Sequence, residues 1–91
     1  MDFEYNQNKS DANREKHGIR FEEAKQLWAG SYVEIQAKTV DEPRFLLIGQ
    51  MKEKYYSCIF TKRGEIIRII SCRRSREREE AIYHEYIGKK E

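Results

Sequence analysis

The residues best equipped for chemistry are the arginines that close the run Arg68-Ile69-Ile70-Ser71-Cys72-Arg73-Arg74-Ser75, with Arg76 just beyond. Between Thr61 and Arg78 there are seven Lys or Arg against two Glu, in a chain whose formal net charge is only +2. Positive charge gathered in one place is suited to an anion, and the largest common one is a nucleic-acid phosphate backbone. Arginine fits this task because its planar fork meets phosphate bidentately. The competing reading of Arg73, Arg74 and Arg76 is a solvated basic turn paired with neighbouring glutamates. Arg68 lies among aliphatic neighbours, where an unpaired guanidinium is costly. It requires an anionic ligand or a carboxylate such as Glu34 or Glu53.

His17, beside Lys16, is the residue suited to proton transfer, because an unperturbed imidazole titrates near neutrality. Its alternative role is a cation at a helix C-terminus. His84 falls in a C-terminal helical pattern and carries no such signal. The two His and two Cys, at positions 17, 84, 58 and 72, have no CxxC, HxxxH or HExxH spacing, so neither a metal nor a cofactor is expected. Glycine-rich phosphate loops and serine-hydrolase elbows are also missing. The six tyrosines offer stacking surfaces for bases.

These residues need elements to position them. Asp2 to Tyr5 alternates as a short strand, and Asn8–His17 reads as a short surface helix stopped by Gly18. Phe21, Ala24, Leu27 and Trp28 fall on one helix face, with Glu22 and Glu23 in its first turn and Gly30 closing it. Ile19 is placed to staple onto Ala24. Strands are expected at Tyr32–Ile35, at Phe45–Ile48 behind Pro43, at Tyr55–Thr61 and at Glu65–Cys72. Their short connections imply an antiparallel meander. Ser75 reads as the N-cap of a last helix carrying Ile82, Tyr83, Tyr86 and Ile87, ended by Gly88. The fold class is therefore α+β: a small antiparallel sheet with two N-terminal helices and one C-terminal helix.

Ninety-one residues, 37% of them charged, with a mean hydropathy of -0.95, make one domain with a modest core, residues 1–91. No apolar run is long enough to span a membrane. The start lacks a secretory pattern, so a cytoplasmic protein is expected. In that compartment Cys58 and Cys72 read as buried small hydrophobes rather than a disulfide.

A longer pattern runs along the chain: Phe3-Glu4, Asn8-Lys9, Asn13, Lys16-His17-Gly18-Ile19 and Phe21-Glu22-Glu23-Ala24. It continues through Arg44-Phe45, Ile48-Gly49, Thr61, Arg63-Gly64, Ile67 to Ser71, Arg73-Arg74, Glu79 and Tyr83. In these residues, and in their order, the sequence resembles the BrnT family of ribonuclease toxins. Departures are Tyr5-Asn6 where the family tends to have Trp-Asp, Arg20 where a capping Ser or Thr is common, and Cys72 and Ser75 for small Ala residues. The resemblance implies a RelE-like fold and metal-independent RNA cleavage, in which the ribose 2′-OH attacks the adjacent phosphate. In that scheme His17 transfers protons with Lys16 beside it. Arg68, Arg73 and Arg74 stabilise the developing charge, and Arg44, Arg63, Ser71 and Arg76 contact the RNA. It also implies a BrnA-like antitoxin with a ribbon-helix-helix DNA-binding part, a heterotetramer, and operator contact only through that antitoxin. A non-catalytic nucleic-acid-binding module using the same patch is the alternative. A purely structural role would leave Arg68 and Arg73 locked to carboxylates. Strict alternation also sets Arg68 and Ser71 on opposite faces unless the strand bends.

Overall fold

Alternation and turn chemistry decide the architecture of this small domain. The computed structural model describes residues 1–37 and 41–88. Its order is β1 (Asp2–Glu4), α1 (Gln7–His17), α2 (Phe21–Ala24), a 3-10 helix (Lys25–Ala29), β2 (Tyr32–Ala37), β3 (Arg44–Met51), β4 (Lys54–Arg63), β5 (Ile66–Arg74) and α3 (Glu77–Ile87). The five strands form one sheet in the order β1-β5-β4-β3-β2.

The expected α+β class and element order hold, but the sheet is not a pure antiparallel meander. Strands β2 to β5 run antiparallel, whereas β1 joins the far edge parallel to β5, pairing Asp2 with Ile66 and Glu4 with Arg68. No short-range pattern announces that pairing, because it joins segments far apart in the sequence. The β3–β4 hairpin turns at Lys52 and Glu53, both with positive φ (53° and 66°), the geometry that matches the twist of the flanking strands.

Cross-strand register defines the two faces of the sheet. On one, Phe45, Phe60 and Ile69 form a row beside Leu47, Cys58 and Cys72. Against it pack Ile19, Phe21, Ala24, Leu27 and Trp28, all buried. Trp28 meets Phe3 and Phe60 edge-on, each with ring centroids 5.2 Å apart. The single helix expected from Phe21 to Trp28 is divided into α2 and the 3-10 helix, which still buries its apolar face.

The cysteines differ from expectation. Cys58 and Cys72 are directly opposite, with Cα atoms 4.1 Å apart, and are joined as a disulfide. Such close pairs are non-hydrogen-bonded positions of an antiparallel ladder, where side chains approach most nearly. The register, linking residues 14 apart, is what brings the two sulfurs together.

Helix starts are supplied by neighbours. Asn6 caps α1 by accepting from the Lys9 N–H at 3.1 Å, and Gly18 ends it with φ 80°. Arg20 is the N-cap residue of α2, but its side chain makes no capping bond. The Ser10 hydroxyl of α1, fully buried, accepts instead from the Phe21 N–H at 2.9 Å and donates to Glu22 at 2.8 Å. A backbone N–H first, then Ser10 and Tyr5, hold the Glu22 carboxyl down at about 2. The N-cap of α3 is Arg76, one residue later than expected.

Candidate nucleic-acid-cleaving site

The second face of the sheet holds most of the candidate residues, and a β-bulge puts them there. Ile59 pairs with Ser71 and Phe60 with Ile69, so Ile70 is left without a partner. The extra residue resets the alternation of β5. Ile67, Ile69 and Cys72 all enter the core, while Arg68, Ser71 and Arg73 all take the opposite face. The conflict between Arg68 and Ser71 that strict alternation implies is thereby removed.

Three cross-strand rows follow. The first runs Ala37, Arg44, Thr61, Arg68, Glu4 across all five strands. Beside it runs Ile35, Leu46, Ile59, Ser71, four half-buried side chains. The third, Val33, Ile48, Ser57, Arg73, lies at the end of the sheet where α3 sits. There Tyr83 of α3 stacks edge-on against Tyr55 at 5.2 Å. The third row is therefore covered by α3, whereas in the first Arg44 is exposed and Arg68 and Glu4 are half-exposed, with Thr61 buried between the arginines.

The two end rows treat arginine differently. Arg73 grips Glu79 with two parallel bonds, Nη1 to Oε1 at 2.7 Å and Nη2 to Oε2 at 2.8 Å. Glu79 also accepts from the Ser57 hydroxyl at 2.9 Å and the Arg76 N–H at 2.8 Å, and Ser57 meets Ser75 at 2.7 Å. Arg73 first, then the Arg76 N–H and Ser57, hold the Glu79 carboxyl down at about 2, against the effect of burial. This network ties α3 to β4 and β5, and Arg73 meets the condition for a structural role.

Arg68 does not. Its nearest carboxylate is Glu4, with a single contact at 3.7 Å, and neither Glu34 nor Glu53 is its partner. Glu34 is taken by Lys62 at 2.7 Å. Arg63, two residues along β4 from Thr61, contacts Glu4 at 3.6 Å and Glu42 at 3.5 Å. Arg44 is exposed. Contacts of this length between exposed or half-exposed groups are weak and leave the guanidinium forks available.

His17 and Lys16 lie elsewhere. α1 follows Glu4, which is level with Arg68, and has reached Cys72 by Asn13, so the helix advances along β5 towards Arg74. Asn13 acts as a substitute strand: its carboxamide donates to the Cys72 carbonyl at 2.8 Å and accepts from the Cys72 N–H at 3.2 Å. It also donates to the Ile19 carbonyl at 2.8 Å, fixing the turn after His17. His17 is one helical turn beyond Asn13 on the same stripe, half-buried, with Lys16 exposed beside it. Arg74 is exposed, with its guanidinium over the Tyr56 ring at 5.8 Å, and Arg76 is exposed at the start of α3. The structure thus groups Arg44, Arg63, Arg68 and Ser71 on the open face. It sets Arg73, Arg74 and Arg76 at the other end of β5. Among the described residues no three His, Cys, Asp or Glu side chains gather as a metal site.

The arrangement is a basic sheet face joined along β5 to a helix that carries a histidine. The family model of BrnT, the ribonuclease toxin of type II toxin-antitoxin systems, matches residues 5–79. The chain belongs to the BrnT family. No curated protein matches it. Every candidate residue from Lys16 to Arg76 falls inside the BrnT match. Membership of a type II toxin-antitoxin family brings with it an antitoxin partner. Among the described residues no helix is long and apolar enough to cross a membrane.

Three contributors were not legible as site residues in advance. Asn13 stands in a polar stretch whose burial comes only from docking on β5. Thr61 is one β-branched residue among many in a strand. Glu4 gains its meaning from the parallel pairing of β1.

Proposed function

We propose that the chain is a metal-independent endoribonuclease, the toxin of a type II pair, which takes single-stranded RNA along β5. The observation that carries this reading is the bulge at Ile70, which gathers Arg68 and Ser71 on one open face with Arg44 and Arg63. In this reading those four side chains hold phosphates, and Arg76 holds another at the start of α3. His17, with Lys16 beside it, moves the proton. The ribose 2′-OH attacks phosphorus, its proton passes to a base, and the P–O5′ bond breaks as that oxygen takes a proton. The products are a 2′,3′-cyclic phosphate and a 5′-hydroxyl end. Arg74, whose fork has no carboxylate grip of the kind holding Arg73 among the described residues, stabilises the charge that grows on the phosphorane. Arg73 itself supports the site by holding Arg74 and α3 in place.

The partner in this reading is a BrnA-like antitoxin with a ribbon-helix-helix part, assembled with the toxin as a heterotetramer in the cytoplasm. It contacts operator DNA while the toxin does not. Its binding would cover the open basic face. The test is purified toxin, freed of partner, incubated with labelled single-stranded RNA in EDTA. A 2′,3′-cyclic phosphate on the 5′ fragment is expected. Salt-sensitive binding without scission, with or without added ribosomes, would replace this reading with a non-catalytic binding module.

A further inference from the structure

Thr61 stands between two arginines on the open face and has a feature neither shares. It is 1% exposed, and among the described residues its Oγ1 is a buried side-chain polar atom with no hydrogen-bond partner. Buried hydroxyls are almost always satisfied, and Glu42, which lies near this one without a well-formed bond to it, is exposed enough to be replaced, so the position points to an anion that arrives from outside. Arg44 on β3 and Arg68 on β5 are its direct cross-strand neighbours. Their Cα atoms are therefore about 10 Å apart, close enough for two long side chains to converge above Thr61.

Carboxylates now occupy the surroundings of that row. Glu4 approaches Arg68 at 3.7 Å and Arg63 at 3.6 Å, and Glu42 approaches Arg63 at 3.5 Å. The Thr61 hydroxyl first, then Arg63 and Arg44, hold the Glu42 carboxyl below its ordinary range, although no well-formed hydrogen bond joins it to Thr61. Both glutamates are substantially exposed, with side chains 38% and 43% accessible, so they can swing into water at little cost.

We infer that Arg44, Thr61 and Arg68, with Arg63, form a phosphate subsite that Glu4 and Glu42 fill as internal stand-in anions until an RNA phosphate displaces them. Bound phosphate would accept from the Thr61 hydroxyl and from the arginine forks, while the two carboxylates compete for those forks. The glutamates thus act as a built-in threshold, weakening RNA binding and favouring strands that present several phosphates at once. The inference rests on the RNA-cleaving reading for the source of the phosphate; the subsite itself rests on the geometry.

The experiment uses a labelled 2′-O-methyl RNA oligonucleotide, which lacks the attacking hydroxyl and cannot be cut by this chemistry. Its affinity at low salt is measured for the wild type, for Glu4→Gln with Glu42→Gln, and for Thr61→Val, each with a thermal melt. The double variant should bind about tenfold tighter, since each removed charge opposes a phosphate at close range. If the double variant melts early, Glu42→Gln alone serves, with an expected gain of about threefold. Thr61→Val should bind about tenfold more weakly while melting no lower than the wild type, because it exchanges an orphan hydroxyl for a methyl of similar shape. Unchanged affinity in the glutamate variants, or in Thr61→Val, would overturn the subsite. Ordinary RNA is tested in parallel. Tighter binding by the double variant without any scission by the wild type would uphold the subsite and sink the nuclease. Scission with no change in affinity would do the reverse.

Discussion

Arg68 and Arg73 lie on the same strand and the same face, yet they are held in opposite ways. Arg73 meets Glu79 through two bonds of 2.7 and 2.8 Å, and the Glu79 side chain is only 11% exposed. Arg68 meets Glu4 once, at 3.7 Å, and the Glu4 side chain is 38% exposed. The burial of the partner, more than that of the arginine, separates the two. A carboxylate fixed by Ser57 and a backbone N–H cannot leave, so its arginine is committed to the fold. A carboxylate at an exposed sheet edge can leave, so its arginine remains available to a ligand.

The contrast can be broken most forcefully at the tight end. Glu79→Ala would strand Arg73 and Ser57 in a largely buried place, and removing one partner of such a pair costs about 3–5 kcal/mol. Chemical denaturation should register that loss, together with release of α3. A variant as stable as the wild type would return Arg73 to the pool of free cations. Acid should probe the same network without mutation. The Glu79 carboxyl is held at about 2 rather than 4.5, so it stabilises the fold above pH 4.5 and that contribution is lost as pH falls through 2. At about 1.4 kcal/mol per unit this amounts to roughly 3 kcal/mol, to which Glu22, depressed as far but exposed to solvent, adds a smaller, screened share. Melting temperatures flat from pH 5 to pH 2 would contradict the network.

Asn13→Ala is expected to have the next largest effect. It removes the side chain that satisfies the outward N–H and carbonyl of Cys72, for a loss of about 2 kcal/mol. It should also slow cleavage, because the helix bearing His17 is no longer registered on β5. Asn13→Ala with full activity would separate His17 from the site.

Much of this arrangement was readable before the fold was known. The element order, the cation-rich end of β5 and the apolar stripe from Phe21 to Trp28 follow from local pattern, since each depends on neighbours a few residues away. The bulge was not readable: with isoleucine at 66, 67, 69 and 70, either phase of alternation is equally apolar, and no glycine marks Ile70. Pairing of the basic turn with nearby glutamates was readable as an alternative, but not that Arg73 and Glu79 would form the grip, because a spacing of six across a strand, turn and helix matches no helical or strand period. The parallel β1, the facing cysteines and the Asn13 clasp all join segments far apart in sequence, and only the tertiary register brings them together.

The most direct test is Arg68→Ala, assayed for RNA cleavage and thermal melting on the same preparation. Loss of at least about a hundredfold in cleavage, with a melt within a few degrees of the wild type, is the expected result. Cleavage at the wild-type rate, or a collapse of the fold like that of Glu79→Ala, would show that the open face is not where RNA is held.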